Sequence, residues 1–259
     1  MIKKIFLFLG LFSLVITIHY CIKVYNEMYL PAEKCDYFSI QKKNDDILRI
    51  AFIGDSWAYL HSLHQCNIDS LVNKKIDKQV QVRSAGISGL TSKEIYKSIF
   101  NDSLINSLFK WGPDYCIIVA GINDTDLKLG VSYYKKNMQL IIDFLIDNDI
   151  IPIVLEIPHY DIEYSFERRY KRQKLQRLLS MILTCSGIDC IDEYRAALLE
   201  ILNDNSGKII YLEEKKWCPG GYLVSSNLYC EDMMHINEKG YQVLDTCIAS
   251  HIILDVLAH

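Results

Sequence analysis

The feature that most constrains the fold is an alternation. Apolar runs at residues 48–53, 78–83, 114–120, 150–156 and 187–191 are separated by longer stretches with apolar residues at helical spacing. Those stretches are Ala58 to Val72, Thr91 to Phe109, Ser132 to Asn148, Phe166 to Thr184 and Glu193 to Leu202, and Asn237 to Leu257 closes the chain. A short continuous apolar run suits a strand buried on both faces, and strands that alternate with helices join through right-handed crossovers into a parallel sheet. The pattern predicts a three-layer α/β domain with about five parallel strands. Lys208 to Leu228, which holds Trp217-Cys218-Pro219-Gly220-Gly221-Tyr222, reads as short strands or a loop rather than a helix. With 259 residues, half of them apolar, the chain can bury one sizeable core.

The N-terminus follows a different rule. Lys3 and Lys4 precede Ile5 to Ile18, fourteen residues without a charge, and the apolar character continues to Ile22. That length lies between a secretory signal and a spanning helix. No small-residue cleavage site follows, and Tyr20 stands where a lipoprotein signal needs a small residue before Cys21. Residues 1–22 are therefore expected to form an uncleaved membrane anchor, with a cleaved signal as the alternative, and residues 23–46 a tether. Lys3 and Lys4 on the inner side would put the remaining chain across the membrane, in the periplasm or on the cell surface.

A formal charge of −4, with Lys and Arg scattered, favours no nucleic-acid partner. Of nine cysteines, Cys21 lies in the anchor segment and Cys116 in an apolar run, where a buried thiol is expected. Export would permit disulfides, and Cys185/Cys190 and Cys218/Cys230 are the nearest pairs in sequence, although spacing alone fixes no connectivity. No CxxC occurs and no His stands at ligand spacing from a Cys, so neither a metal site nor a cofactor is expected.

The polar residues collect where strands end. Ile53-Gly54-Asp55-Ser56-Trp57 closes the first run, and the crevice beyond the carboxyl ends of the strands is where open α/β sheets bind ligands. A serine hydroxyl becomes a nucleophile when a base removes its proton, and the base works best when a carboxylate orients it. Asp232-Met233-Met234-His235 offers both on one turn. Donors for a developing oxyanion are available after the next two runs: the backbone N–H of Gly86 in Ser84-Ala85-Gly86, and the side chain of Asn123 in Gly121-Ile122-Asn123-Asp124. Taken singly, Gly86 also reads as a turn residue, Asn123 as a helix cap, and Asp232/His235 as a cap with a surface His.

Taken together, Gly54-Asp55-Ser56, Gly86, Gly121-x-Asn123-Asp124 and Asp232-x-x-His235 resemble, in order, the four blocks of the SGNH, or GDSL-type, hydrolases. The resemblance covers about residues 47–259. It implies a flavodoxin-like α/β/α sheet, Ser56 as nucleophile, His235 as base, Asp232 as its orienter, and an oxyanion hole made by Ser56, Gly86 and Asn123. Two positions depart from the family pattern: Trp57 stands where Leu is common, and Ser84 where Asn is common. Asp55 is expected to be structural. The general α/β-hydrolase fold fits less well, because no Gly-x-Ser-x-Gly elbow occurs.

The resemblance implies ester chemistry, and export favours an O-acetyl group on an envelope or extracellular carbohydrate. Carbohydrate O-acetyl transfer, lysophospholipid or short-chain lipid hydrolysis, and non-catalytic glycan binding remain alternatives. Trp57, Tyr59, Trp217, Tyr222 and Tyr229 are candidates for stacking on sugar rings, with core packing as the competing role. Tyr160 and the basic run Arg168-Arg169-Tyr170-Lys171-Arg172 are candidates for an acidic glycan or a lipid headgroup, against a plain solvated helix face. The sequence leaves the oligomeric state open.

Overall fold

The computed structural model describes residues 2–36, 38–43, 45–64 and 67–258, with side chains from residue 12 onward. Lys3, Lys4 and the apolar side chains up to residue 11 lie outside the described side chains, and Cys66 lies outside the described residues. The chain divides into two units, Met1–Pro31 and Ala32–His259.

The first unit is one helix, α1 (Ile2–Tyr29), which continues beyond the expected end at residue 22 into the segment read as a tether. Its apolar residues Phe12, Leu14, Val15, Ile16, Ile18 and Ile22 are exposed, while Val24 and Met28 further along are half-buried.

The second unit opens with residues that lie along the domain. The Ala32 N–H donates to Asn137 Oδ1 (2.8 Å) and the Cys35 N–H to the Tyr96 hydroxyl (2.9 Å), while Phe38 and Ile40 pack on the core. The predicted alternation follows: β1 (Ile47–Gly54), α2 (Ser56–Leu63), α3 (Ile68–Asn73), β2 (Gln79–Gly86), α4 (Ser92–Asn101), α5 (Ser103–Lys110), β3 (Tyr115–Val119), α6 (Ile122–Leu127), α7 (Val131–Asp147) and β4 (Ile151–Leu155). Then come α8 (Ile162–Glu167), α9 (Lys171–Thr184), α10 (Ile191–Asp204), β5 (Ile210–Leu212), α11 (Gly221–Val224) and α12 (Glu238–Ala258).

The five strands are parallel, in the order β2-β1-β3-β4-β5. Helices α2, α3 and α12 pack together on one side of the sheet, and α4, α5, α7 and α10 form the other group. The central strands are buried on both faces, which is why β3 reads as the unbroken run Tyr-Cys-Ile-Ile-Val. From β1 the chain adds β2 on one side and then crosses back to add β3 on the other, so the crevice at the carboxyl ends of β1 and β3 is the topological switch point of the sheet.

The fifth strand lies elsewhere than expected. Residues 187–191 form no strand; a left-handed Cys185 ends α9, and Cys190 occupies the N-cap position of α10. The strand is Ile210–Leu212, inside the stretch that fitted no helix, and it pairs with β4 from Ile153 to Leu155. The eight described cysteines are free thiols, so neither Cys185/Cys190 nor Cys218/Cys230 is bridged. Cys116 is buried as expected.

Among the described residues, α12 is the helix long and apolar enough to cross a membrane. Its Tyr241, Leu244, Ile248, Ala249 and Ile252 are buried in the domain, so those properties belong to a core helix.

Candidate active site

The crevice is furnished by turns that the sequence builds for local reasons. Asp55 caps α2: its Oδ1 accepts from the Trp57 N–H (3.0 Å), and Ser56 becomes the first helical residue. At that position the Ser56 N–H has no partner within the helix and stands at the positive end of its dipole. Asp55 itself is fully buried, and burial pushes its carboxyl up to about 7.

The second piece arrives from the far end of the chain. Asp232 Oδ1 accepts the backbone N–H groups of Met234 (3.0 Å) and His235 (2.9 Å), closing a turn in which Met233 is left-handed. A Tyr229–Ile236 bridge and the Cys230 N–H bond to the His235 carbonyl (2.7 Å) hold the base of this loop. The Tyr241 hydroxyl at the start of α12 donates to the Trp57 carbonyl (2.9 Å), tying the loop's exit to α2.

These constraints leave His235 between two partners. Asp232 Oδ2 lies 2.6 Å from Nδ1, and Ser56 Oγ lies 2.8 Å from Nε2. Burial alone would raise the Asp232 carboxyl, but the His235 backbone N–H, the His235 ring and the Met234 N–H together hold it below its ordinary value. An ionised carboxylate only accepts, so Nδ1 carries the ring proton and Nε2 is left to accept from Ser56. Ser56 is half-buried, and the His235 and Asp232 side chains are 23 % and 28 % exposed, so the chain of bonds meets solvent at its serine end and along its flank.

The two expected oxyanion donors approach the same turn. Gly86 lies so close to the start of α2 that a Cβ there would stand 2.4 Å from the Tyr59 nitrogen and 2.5 Å from the Asp55 carbonyl oxygen. Gly121, left-handed at φ 115°, opens α6 and presents Asn123. Asn123 Nδ2 donates to the Leu90 carbonyl (2.9 Å) and to Asp55 Oδ2 (3.2 Å). The amide is thus held beside the residue that precedes Ser56, with both of its protons engaged. Donation to an oxyanion would draw on the longer contact, the one to Asp55. The neighbouring Asp124 accepts from the backbone (2.9 Å) and hydroxyl (2.5 Å) of Ser92, fastening α6 to α4, and burial raises its carboxyl to about 6.

The aromatic candidates divide. Trp57 and Trp217 are 0 % and 2 % exposed and pack edge to face with ring centroids 5.9 Å apart, so their faces are closed to a sugar. Tyr229 is buried and donates to the His159 carbonyl (3.1 Å), and Tyr160 is buried with its hydroxyl on Thr125 Oγ1 (3.0 Å). Tyr59 remains exposed, while Tyr222 lines a cavity of about 620 Å³ with His159, Glu214 and Arg195. Ser56, Asp232 and His235 are not among that cavity's walls.

One arrangement escaped the sequence reading. His61, on the same helix as Ser56, places Nδ1 2.8 Å from Ser84 Oγ and Nε2 2.9 Å from Asp245 Oδ1, and Asp245 Oδ2 accepts the Asn67 N–H (3.0 Å). This second Ser–His–Asp set joins β2, α2 and α12, with His61 and Asp245 each 1 % exposed. It gives the departure at Ser84 a structural reason. The only sequence signal was a polar residue on the inner face of α2, and its partner stands 184 positions away.

No family model and no curated protein matches the sequence. Solved structures do resemble the fold. A lipase/acylhydrolase from Enterococcus faecalis is 20 % identical with a TM-score of 0.56, over 80 % of this chain and 96 % of that one. A GDSL-like lipase from Bacteroides thetaiotaomicron is 17 % identical with a TM-score of 0.53, over 80 % and 88 %. An acetylxylan esterase from Geobacillus stearothermophilus is 17 % identical with a TM-score of 0.53, over 79 % and 94 %. With its parallel five-stranded sheet and the order of its strand-end blocks, the chain has the fold of the SGNH, or GDSL-type, hydrolases.

Proposed function

We propose that the protein is a serine ester hydrolase working through an acyl-enzyme on Ser56. The observation that carries this reading is the unbroken chain from Asp232 Oδ2 to His235 (2.6 Å) and from His235 Nε2 to Ser56 Oγ (2.8 Å) at the start of α2. Ser56 Oγ attacks the acyl carbonyl while His235 Nε2 takes its proton, and Asp232 steadies the imidazolium that forms. The N–H groups of Ser56 and Gly86 and the Asn123 amide receive the oxyanion. His235 returns the proton to the departing alcohol and then activates the water that frees the acid. No step calls for a metal or cofactor.

The substrate we favour is an O-acetyl group on an envelope or extracellular carbohydrate. An acetylxylan esterase among proteins of like fold and the exposed Tyr59 support that choice. Lipases of the same fold support short-chain lipid esters as the second reading. A carbohydrate O-acetyltransferase would share the acyl-enzyme and differ in the hydroxyl that attacks it. We place the domain outside the cytoplasm, tethered by α1, whose exposed apolar residues from Phe12 to Ile22 support an anchor.

The test is a panel of acetylated glycans, p-nitrophenyl esters and lysophospholipids, with free acid and transferred acyl product both measured, alongside labelling by a fluorophosphonate probe. Wild type should label and cleave, and Ser56→Ala should do neither. A wild-type protein that binds a glycan tightly yet neither labels nor cleaves any ester would leave the binding module as the better reading.

A further inference from the structure

Helix α9 is built inside out. Its inward face carries Arg177 and Ser180, 5 % and 1 % exposed. Arg177 donates from Nη2 to Asp126 Oδ2 (2.5 Å) and from Nε to the Asp126 carbonyl (3.0 Å), and Asp126 also receives Arg169 Nη2 (3.1 Å) and Ser165 Oγ (3.0 Å). The outward face carries Leu175, Leu178, Leu179, Ile182 and Leu183, between 44 % and 74 % exposed. Their spacing is that of the apolar stripe which normally turns an amphipathic helix toward a core. Here the polar side is fixed to the domain by a buried ion pair, and the stripe faces away from it. Five adjacent aliphatic side chains on one helix form a patch of the kind that marks an interaction surface, unlike apolar residues scattered singly.

The chemistry around the stripe identifies its partner. Lys171 and Arg172 are exposed at the N-terminal end of α9, and among the described residues no carboxylate forms an ion pair with either. Tyr164 and Tyr170 are exposed beside them, with the Arg168 guanidinium over the Tyr164 ring (5.3 Å). Lys174 is engaged by Glu167 (2.7 Å), and Glu163 is the other exposed acid nearby, on α8. The outward positions of α9 from Lys171 to Leu183 include no Asp or Glu, so a second copy of the helix would bring nothing to receive Lys171 and Arg172. An apolar stripe with cations at one end and tyrosines at its edge matches a helix lying in the headgroup layer of a bilayer. Independently, α1 spans 28 residues, about 42 Å at the α-helical rise, and exposes its apolar residues from Phe12 to Ile22. A domain tethered to a membrane by such a helix meets that surface at high effective concentration.

We propose that α9 docks on a phospholipid surface bearing anionic headgroups, with the stripe from Leu175 to Leu183 in the acyl boundary and Lys171 and Arg172 among the headgroups.

The test uses residues 32–259, which contain all five strands and the whole core. Their sedimentation with phosphatidylglycerol-containing vesicles is compared with that on phosphatidylcholine alone. Binding is expected on the anionic vesicles. It should fall at least ~10-fold in Leu175→Ser/Leu179→Ser/Ile182→Ser and about 30-fold in Lys171→Glu/Arg172→Glu, and should weaken with salt. Because no substituted residue belongs to the proposed catalytic group, turnover of a soluble ester should match wild type, so this result stands apart from the esterase reading. Failure to sediment with either vesicle overturns the proposal. So does a dimer in light scattering that the triple substitution converts to monomer, which would assign the stripe to a second copy.

Discussion

Gly86→Ala is the sharpest perturbation the fold offers. Gly86 does not occupy a left-handed backbone conformation, so alanine fits the main chain and only its Cβ matters. That atom would stand 2.4 Å from the Tyr59 nitrogen, 2.5 Å from the Asp55 carbonyl oxygen and 2.8 Å from Ala58 Cβ, where real Cβ contacts essentially never fall below 3.0 Å. Two of the three are backbone atoms of the turn that carries Ser56, so no side chain can swing aside. The first turn of α2 must retreat by at least 0.6 Å (3.0 − 2.4) from β2. Overpacking of this kind costs about 1–3 kcal/mol. The Ser56–His235 contact of 2.8 Å has little room to lengthen before it ceases to be a hydrogen bond, and a displacement near 1 Å costs on the order of 10²-fold in rate. We expect kcat on p-nitrophenyl acetate to fall ~10- to 100-fold, with a lower melting temperature. Gly89→Ala is the control, since a Cβ there meets nothing within 4 Å, and it should leave kcat unchanged despite a left-handed φ of 85°. If Gly86→Ala kept kcat within about three-fold of wild type, the geometric coupling between β2 and Ser56 would be wrong.

Three further expectations follow from other contacts. Asn123→Ala should lower kcat by about 10²–10³ with fluorophosphonate labelling retained, whereas a drop in melting temperature with kcat preserved would reduce Asn123 to its bonds with Leu90 and Asp55. Asp55 keeps its proton in the folded state up to about 7 while the unfolded chain releases it near 3.8, so its contribution to stability falls as pH rises through that window and is flat above it. Urea titrations should therefore show wild type losing about 3 kcal/mol relative to Asp55→Asn between pH 4.5 and 7.5, and a difference independent of pH would reject the buried carboxyl as its source. Arg177→Met leaves Asp126 buried beside Arg169 alone and should cost about 3–5 kcal/mol in urea unfolding; a change under about 1 kcal/mol would mean that Asp126 repairs itself.

What could be read from the chain follows from how local each cause is. β1, β3 and β4 are buried on both faces, and burial writes itself as a continuous apolar run. The groups around Ser56 and His235 were legible because caps and turns need their residues at fixed short offsets. β5 is three residues long and sits at the sheet edge, too short to leave a pattern, whereas Ile188, Cys190 and Ile191 mimic one while serving the entry of α10. The orientation of α9 was illegible for a different reason. Its apolar spacing was visible, but the face that turns inward is chosen by Asp126, 51 residues before Arg177. Trp57 likewise left stacking on substrate and core packing both open from sequence, and Trp217, from the other half of the domain, decides for packing.

The second set, Ser84 with the buried His61 and Asp245, gives this protein an internal reference. Helix α2 contributes a member to each constellation, Ser56 to one and His61 to the other, and the serine–imidazole distances are the same 2.8 Å. The two sets share side-chain types and the serine–imidazole distance, and both serines are half-buried, yet Ser84 lies within a strand beside an imidazole sealed from water, while Ser56 starts a helix. A serine-directed reagent applied to one sample therefore compares two hydroxyls on imidazoles that face opposite ways: Nε2 of His235 meets Ser56, whereas Nδ1 of His61 meets Ser84. The ratio of adducts, read by mass spectrometry of the peptides around residues 56 and 84, measures how much the helix start and the orientation of the ring add to reactivity beyond the three side-chain types themselves.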